Sequence, residues 1–246
     1  MFDFDGTLAD TRGCIVEAMR LAYAEHGLAA PDVAAVVASV GLPLPMVVRA
    51  GGATVTDEEV ASLVTAYRRH FDGVASTHTQ LFDGMRELVE GFAADPDIVL
   101  GVATSKSRAS VVPLLRAYGI LDYFDCIVCD EDVELKKPHP EMMHLLLREL
   151  DLPAGSTWMI GDTSFDLEMA LAAGTGACGV VWGNHPEDVL QSAGAHYIAQ
   201  TVADLAQLKG RTPDDVDSRG VLPVRAHRRA DLGRRGGLRA AAEGAA

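Results

Sequence analysis

Two aspartates that stand two residues apart, Asp3 and Asp5, open the chain, and Gly6 and Thr7 follow them at once. In a strand, side chains at positions i and i+2 share a face, so both carboxylates would begin on the same side. Gly6 allows a sharp turn or a close backbone approach directly after them. Two like charges this close repel each other unless a cation or a shared proton intervenes. The stretch alone fits either a solvated strand-to-turn junction or a reactive site, and polar residues later in the chain decide between the two.

The composition of the 246 residues is that of a globular protein with an acidic balance. Hydrophobic residues make up 48% and charged residues 23%, and the formal net charge is −14. This charge argues against nucleic acid or an anionic membrane as the main partner. The sequence contains no apolar run of about 18 residues and no basic-then-apolar start, so we expect neither a membrane span nor a signal peptide. We therefore predict a cytoplasmic protein.

The periodicity of the apolar residues changes along the chain. Residues 12–79 carry helical patterns, including a capping box at Thr56 and Glu59 ahead of an apolar stripe. Further along, short apolar runs alternate with helical patterns, and these runs lie at 98–103, 124–129, 157–160 and 178–182. Apolar strands that alternate with helices are typical of a parallel sheet covered on both faces. The first strand, which carries Asp3, must join that sheet because one strand cannot stand alone.

These patterns predict an α/β fold, with a Rossmann-like parallel sheet core and an inserted all-helical cap. We place the core at residues 1–11 and 80–209 and the cap at 12–79. A helical module inserted between a catalytic strand and its sheet is suited to act as a lid. Residues 210–246 hold eight arginines and five acids among many glycines and alanines. We predict that they form a disordered tail of charge +3, which leaves −17 on residues 1–209.

Polar residues cluster where the predicted strands end. In an open parallel sheet, ligands bind at the carboxyl ends of the strands. The residues that follow strands, or that precede the helix predicted at about 139–149, are Asp3, Asp5, Thr104, Ser105, Lys106, Lys136, Lys137, Asp162 and Asp166. Carboxylate oxygens favour Mg²⁺, and hydroxyl and ammonium groups suit phosphoryl oxygens. The set indicates a site that handles phosphate with the help of Mg²⁺.

Four stretches of the chain resemble, in order, the four motifs of the haloacid dehalogenase superfamily. They are Asp3-Phe4-Asp5-Gly6-Thr7-Leu8, Thr104, Lys137-Pro138 and Gly161-Asp162-Thr163-Ser164-Phe165-Asp166. The resemblance covers residues 1–207, and the helical insert is similar to that family's cap. Gly41-Leu42-Pro43 and the segments 173–174 and 182–185 are similar to the phosphoglycolate phosphatase branch.

The resemblance implies roles for the residues that would meet the phosphoryl group. Asp3 would attack phosphorus and form an aspartyl-phosphate. Asp5 would protonate the leaving oxygen and then deprotonate the water that hydrolyses the intermediate. Thr104 and Lys137 would bind the phosphoryl group, and Ser105 is a further phosphate-binding candidate.

The resemblance also implies a metal site. Mg²⁺ would be held by the Asp3 side chain, the Asp162 side chain and the backbone carbonyl of Asp5. Asp166 would support the metal or Lys137 indirectly. The acid at position 5 favours phosphoryl transfer over dehalogenation, because an alkoxide leaving group needs a proton and a halide does not. The expected cofactor is therefore Mg²⁺, and the expected partner is a small phosphorylated metabolite.

Three functional hypotheses follow from the resemblance. The first is a Mg²⁺-dependent phosphatase, monomeric or homodimeric, with 2-phosphoglycolate as the leading substrate. The second is a mutase similar to β-phosphoglucomutase, which returns the phosphoryl group to a sugar. The third is a catalytically impaired or truncated relative with an interaction role. The reason for this third hypothesis is that only two residues precede Asp3, where relatives typically carry an apolar run. We therefore also expect the natural start to lie upstream.

Five further residues are weaker candidates for a role at or near the site. Lys106 would contact phosphate or begin a solvated helix, and His185 would be functional or a surface histidine. Lys136 is interpreted as the solvated neighbour of Lys137, although the sequence does not separate the two lysines. Arg49 is a guess for a substrate contact from the cap, and Asp10 would cap the first helix of the insert.

Overall fold

A computed structural model describes residues 1–216 and residue 220 of the chain. The strands are β1 (Ala9–Asp10), β2 (Gln80–Leu81), β3 (Gly101–Ala103), β4 (Cys126–Val128), β5 (Trp158–Gly161), β6 (Gly176–Val180) and β7 (Tyr197–Ala199). The α-helices are α1 (Arg12–Glu25), α2 (Val33–Ala38), α3 (Leu44–Ala50), α4 (Asp57–His78), α5 (Met85–Ala93), α6 (Arg108–Ala117), α7 (Glu141–Glu149), α8 (Ser164–Ala172) and α9 (Glu187–Ser192). Short 3₁₀ segments lie at Leu121–Tyr123, Asp130–Asp132, Ala154–Ser156, Val202–Leu208 and Pro213–Asp215.

The main sheet is parallel, and the first residues of the chain complete its centre. β4 pairs with β3 on one side, and β5, β6 and β7 pair in that order on the other. Phe2 joins the two sides because it bridges both Val102 and Ile160. The Phe2 N–H donates to the Gly101 carbonyl and the Asp3 N–H donates to the Ile160 carbonyl, each at 2.9 Å. The prediction that the first strand joins the later sheet is confirmed.

Side chains that alternate along the central strands enter two apolar clusters, one on each face of the sheet. Phe2 and Ile160 belong to the larger cluster, and Met1 and Met159 belong to the second. A parallel sheet buried on both faces leaves polar side chains no place except the strand ends. The α/β fold predicted from the alternating apolar runs is therefore confirmed, and the strand ends are where a site can form.

Four helices fill the segment between β1 and β2. α1 packs along α4, and Met19, Tyr23, Leu63 and Phe71 are buried between them and their neighbours. The predicted capping box begins α4, since Thr56 and Glu59 exchange hydrogen bonds between side chain and backbone. Within the described residues, every helix falls short of the length and apolar character that a membrane span requires.

A two-residue antiparallel ladder joins the ends of this helical segment. Ala9 of β1 faces Leu81 of β2, and Asp10 faces Gln80. The sequence predicts no strand at these positions, because two residues are too few to show a period-2 pattern. The division of the chain into a core and a cap remains a prediction, and the ladder lies where that division was placed.

The predicted tail, residues 210–246, lies outside the described residues except for 210–216 and 220. Its described beginning is packed against the core, since the Trp158 Nε1–H donates to the Arg211 carbonyl at 2.8 Å. Pro213–Asp215 then forms a 3₁₀ turn, so the described residues 210–216 are folded, unlike the disordered tail that was predicted there.

Candidate active site

Asp3 stands at the centre of the sheet, at the point where the first strand ends. Its side chain is buried, and its Oδ1 accepts a hydrogen bond from Lys137 Nζ at 2.7 Å. Among the described residues, the second oxygen, Oδ2, accepts no hydrogen bond. Burial raises the pKa of Asp3 well above its ordinary value, although Lys137 acts in the opposite direction. Asp3 therefore presents one oxygen fixed by Lys137 and one oxygen that accepts no hydrogen bond from the described residues.

Lys137 is the cation at the base of the site. Its side chain is completely buried, and Nζ donates to Asp3 at 2.7 Å, to Asp166 at 2.6 Å and to the Ala103 carbonyl at 2.9 Å. Burial disfavours the charged form, but the two carboxylates outweigh it and raise the pKa of Lys137 above its ordinary value. The ammonium group is fully satisfied and stays charged beside Asp3.

Asp162 follows β5 and is held by neighbours on two sides. Its Oδ1 accepts from Thr7 Oγ1 at 3.0 Å, and its Oδ2 accepts from the backbone and side-chain nitrogens of Asn184 at 2.7 and 2.9 Å. Burial and the charge of Asp166 raise the pKa of Asp162 to about 7. A Cβ on Gly6 or Gly183 would come within 2.2 Å of this side chain, so both positions require glycine for the backbone to approach it.

A cluster of three buried carboxylates offers a place for a metal ion. Asp3, Asp162 and Asp166 each present an oxygen, and these oxygens lie within 4.8 Å of one another. Asp166 is already engaged, because Lys137 binds its Oδ1 and the Thr163 hydroxyl donates to its Oδ2 at 2.7 Å. Three carboxylates around one lysine leave an uncompensated negative charge, and hard oxygen donors of this kind suit Mg²⁺. The residues present therefore fit a divalent cation.

Asp5 points to a different set of partners from Asp3. The Thr11 hydroxyl donates to Asp5 Oδ1 at 2.6 Å, and Lys106 Nζ contacts both carboxylate oxygens at 2.8 and 3.0 Å. Lys106 Nζ also lies 4.0 Å from the centroid of the Phe71 ring, which belongs to α4. The Asp5 carboxylate is thus occupied by Lys106 and Thr11, away from the three-carboxylate cluster.

Thr104 and Ser105 extend from the end of β3. Thr104 is buried, and its Oγ1 accepts the backbone N–H of Lys106 at 3.1 Å. The Ser105 hydroxyl donates to the Gly41 carbonyl, in the helical segment, at 2.6 Å. Thr104 and Ser105 line a cavity of about 60 Å³ together with Asp3 and Asp5. All seven predicted site residues therefore lie at the carboxyl edge of the sheet, and the cavity opens beside the proposed nucleophile.

The structure decides the open interpretations of two residues near the site. Lys106 is not solvated, since its side chain is only 9% exposed. His185 is buried rather than on the surface: its Nδ1 accepts the Ser164 N–H at 3.0 Å, so Nε2 carries the proton and donates to the Ala38 carbonyl at 3.0 Å. The sequence signal for Lys106 was its place two residues after Thr104, at a strand end.

The other uncertain residues have structural roles outside the cavity. Lys136 donates to the carbonyls of Asp130 and Val133, so it is bonded rather than solvated, and Lys137 is the lysine of the site. Arg49 pairs with Asp57 and is not among the residues that line the cavity, so the hypothesis of a substrate contact from Arg49 stays a prediction without support from the cavity. Thr11, not Asp10, occupies the N-cap position of α1, although the Asp10 carboxylate accepts the Arg12 N–H at 3.3 Å.

The sequence model of the haloacid dehalogenase-like hydrolases matches residues 1–180 of the chain. The chain belongs to this family. The match includes Asp3, Asp5, Thr104, Ser105, Lys137, Asp162 and Asp166, together with the helical segment between β1 and β2.

Individual relatives agree with this assignment. The chain is 38% identical to "Probable phosphatase IndB" of Dickeya dadantii, over 83% of the chain and 90% of the relative. It is 32% identical to the phosphoglycolate phosphatase of Yersinia pseudotuberculosis, over 83% and 89%. Its fold is that of a haloacid dehalogenase-like family hydrolase from Streptococcus pneumoniae, with a TM-score of 0.73, 24% identity and coverage of 83% and 94%. This haloacid dehalogenase-like hydrolase is therefore similar to phosphatases over most of its length.

Proposed function

We propose that the protein is a Mg²⁺-dependent phosphatase that hydrolyses a small phosphorylated metabolite through an aspartyl-phosphate on Asp3. The observation that carries the proposal is the state of the Asp3 carboxylate. Lys137 fixes one of its oxygens at 2.7 Å, and the other is uncommitted beside a small cavity. A carboxylate held in this way needs no movement to attack a phosphorus atom placed in the cavity.

The bond changes assign a task to each side chain. An oxygen of Asp3 forms a bond to phosphorus while the bond from phosphorus to the leaving oxygen breaks. Asp5, which has to be protonated and released from Lys106 for this step, gives its proton to that leaving oxygen, which departs as an alcohol. In the second half, Asp5 takes a proton from water as the water oxygen attacks phosphorus, and the bond from phosphorus to Asp3 breaks to release phosphate. Asp5 can serve both halves because it lines the same cavity as Asp3.

One lysine, two hydroxyl groups and a metal ion are proposed to stabilise the negative charge of the phosphoryl group during transfer. Lys137, Thr104 and Ser105 are the proposed phosphate-binding residues. Asp3, the backbone carbonyl of Asp5 and Asp162 would hold Mg²⁺, which supplies charge neutralisation for phosphoryl oxygens when bound. Asp166 is proposed to act indirectly, because its oxygens are committed to Lys137 and Thr163. The Asp5 carboxylate is likewise committed to Lys106 and Thr11, which supports the use of its carbonyl.

The helical segment 12–79 is proposed to be a cap that closes over the site. Two hydrogen bonds support this role, one from Ser105 Oγ to the Gly41 carbonyl at 2.6 Å and one from His185 Nε2 to the Ala38 carbonyl at 3.0 Å. Both tie the segment to loops at the carboxyl edge of the sheet. A cavity of about 60 Å³ beneath such a lid favours small substrates. Together with the phosphoglycolate phosphatases among the relatives, this supports 2-phosphoglycolate as the substrate.

Binding of Mg²⁺ should stabilise the folded protein against heat. A ligand at 100 times its dissociation constant stabilises by about 2.7 kcal/mol, which for a chain of this size corresponds to a Tm about 5–10 °C higher. Scanning calorimetry with and without MgCl₂ measures the shift. Asp162→Asn removes a proposed ligand and should abolish most of it, whereas Asp10→Asn, at an exposed carboxylate, should keep it. Equal shifts in all three proteins would contradict the proposed metal site.

Release of inorganic phosphate tests the reaction itself. The purified protein with MgCl₂ should release phosphate from 2-phosphoglycolate, and addition of EDTA should stop the release. Hexose 1-phosphate serves as the second substrate, because a mutase would convert it to hexose 6-phosphate without release of phosphate. Conversion without release would replace the phosphatase proposal by the mutase hypothesis.

A further inference from the structure

The cavity beside Asp3 has walls of different chemistry. One wall comes from the helical segment and is mostly apolar, formed by Ile15, Val40, Leu44, Val47, Tyr67 and Phe71. Two basic residues, Lys106 and Arg68, also line the cavity. Lys106 is committed to Asp5 through both carboxylate oxygens. Arg68 is therefore the basic residue of this lining that is left to meet a substrate.

Four other arginines lie in the helical segment, and none of them lines the cavity. Arg69 pairs with Glu25, and Arg49 pairs with Asp57. Arg12 donates to Asn184 and to the Gly183 carbonyl. Arg20, like Arg68, has no ion-pair or hydrogen-bond partner within the described part of the chain. A guanidinium group at the edge of a cavity can thus bind an incoming anion without first breaking a bond within the protein.

The position of Arg68 on α4 places it beside Phe71, whose ring contacts Lys106 at the site. Arg68 precedes Phe71 by three residues, and residues three apart are neighbours on a helix surface. The Phe71 ring is 4.0 Å from Lys106 Nζ, which in turn contacts Asp5. A molecule whose phosphoryl group meets Asp3 would therefore extend its far end along Phe71 towards Arg68.

We infer that Arg68 binds a second anionic group of the substrate, so that the enzyme selects phosphorylated compounds with a carboxylate or second phosphate a few atoms from the scissile bond. The inference rests on the proposed phosphatase function. The planar guanidinium group matches the paired oxygens of a carboxylate or phosphate. The apolar wall contacts the short carbon portion between the two charged ends. A substrate of this kind would extend from Asp3 towards Arg68, since both residues line the same cavity.

Asp130 defines the side of the cavity from which the second anionic group is excluded. It lines the same cavity, and its Oδ1 is buried without a hydrogen-bond partner within the described part of the chain. Its Oδ2 lies 3.6 Å from Lys136 Nζ. An anion next to Asp130 would be repelled, whereas a hydroxyl group there would be bound. Asp130 therefore favours a substrate with a hydroxyl group, whereas Arg68 favours one with a second anionic group. A single panel of compounds distinguishes the two preferences.

The test compares kcat/KM for four compounds matched in size. 2-Phosphoglycolate carries a carboxylate, pyrophosphate a second phosphate, 2-hydroxyethyl phosphate a hydroxyl, and ethyl phosphate no polar group. The variants are Arg68→Gln, Arg68→Lys and Asp130→Asn, with Arg69→Gln as the matched control for loss of a neighbouring exposed charge. A charge-assisted hydrogen bond contributes a factor of about 10–100 in binding. The Tm of each variant is measured to confirm that it folds.

The expected result has three parts. The wild type prefers 2-phosphoglycolate or pyrophosphate over ethyl phosphate, and the favoured one identifies the second group. Arg68→Gln lowers kcat/KM for that compound by about 10–100-fold, mainly through KM, and changes ethyl phosphate less than about threefold. Arg68→Lys loses less than Arg68→Gln, while Arg69→Gln, at a residue outside the cavity lining, loses nothing on the anionic compounds.

Other results overturn the inference in ways that can be told apart. Equal losses on ethyl phosphate and the anionic compounds would make Arg68 a structural residue. A wild-type preference for 2-hydroxyethyl phosphate that Asp130→Asn abolishes would assign recognition to Asp130. That wild-type preference is decisive even where an Arg68 variant fails to fold. Absence of Mg²⁺-dependent release from all four compounds by the wild type would refute the proposed function itself.

Discussion

Replacement of Asp3 by asparagine is expected to abolish phosphate release. The amide nitrogen in place of a carboxylate oxygen cannot form the bond to phosphorus, while the side chain keeps its size in a buried position. Loss of the nucleophile in an enzyme that works through a covalent intermediate costs on the order of 10⁴-fold or more in kcat. Steady-state phosphate release from 2-phosphoglycolate measures the loss. Mass spectrometry of acid-quenched enzyme should detect a phosphorylated chain for wild type and none for Asp3→Asn.

Asp10→Asn is the matched control for this experiment. Asp10 lies in the same N-terminal segment but is exposed, and its carboxylate contacts only the Arg12 N–H at 3.3 Å within the described residues. This variant should keep its activity within about twofold, as exposed substitutions usually do. If Asp3→Asn retained activity comparable with Asp10→Asn, the covalent role of Asp3 would be wrong.

Replacement of Lys137 by methionine is expected to damage both stability and activity. Lys137 is fully buried between Asp3 and Asp166, so its loss leaves two buried carboxylates without their cation. Removal of one partner from a buried ion pair costs about 3–5 kcal/mol of unfolding free energy. For a chain of this size the Tm should fall by about 6–20 °C. Thermal unfolding followed by circular dichroism measures the change.

Lys136→Met separates this effect from a general effect of removing a lysine. Lys136 is the adjacent residue, its side chain is 28% exposed, and its Nζ bonds to backbone carbonyls rather than to buried carboxylates. We expect a loss of about 1 kcal/mol, the contribution of an ordinary hydrogen bond. Activity should also separate the two variants, because Lys137 is a proposed phosphate ligand and Lys136 is not. Similar Tm values for both variants would argue against an obligatory cation between Asp3 and Asp166.

The residues that the sequence predicted to meet at one edge of the sheet share one property. Asp3, Thr104 and Asp162 follow strands of a parallel sheet directly, so the fold alone brings them to one edge. Once the alternation of apolar runs and helices was recognised, their proximity required no knowledge of loop structure. Lys137 is the exception, because it follows β4 at a distance, and the sequence did not separate it from Lys136.

Some residues had two interpretations from the sequence, because their positions are set by contacts between segments that are distant along the chain. Lys106 is fixed by Asp5 and by Phe71 of α4, and His185 is fixed by Ser164 and the Ala38 carbonyl. Neither contact follows from local periodicity, since each depends on how the helical segment is seated on the sheet. The β1–β2 ladder was missed for a similar reason, because two residues carry no pattern and only the return of the chain at residue 80 creates the pairing.

Two of the hydrogen bonds that tie the helical segment to the core have a consequence for divergence within the family. The acceptors are the carbonyls of Ala38 and Gly41, and the donors, His185 and Ser105, belong to the core. Attachment through carbonyl groups does not depend on the side chains that the helical segment presents to the cavity. Residues such as Val47 and Arg68 are therefore free to change while both ties persist. The same donors of the core can therefore bind helical segments of different sequence. A new substrate preference can then arise while the helical segment is attached over the site in the same way.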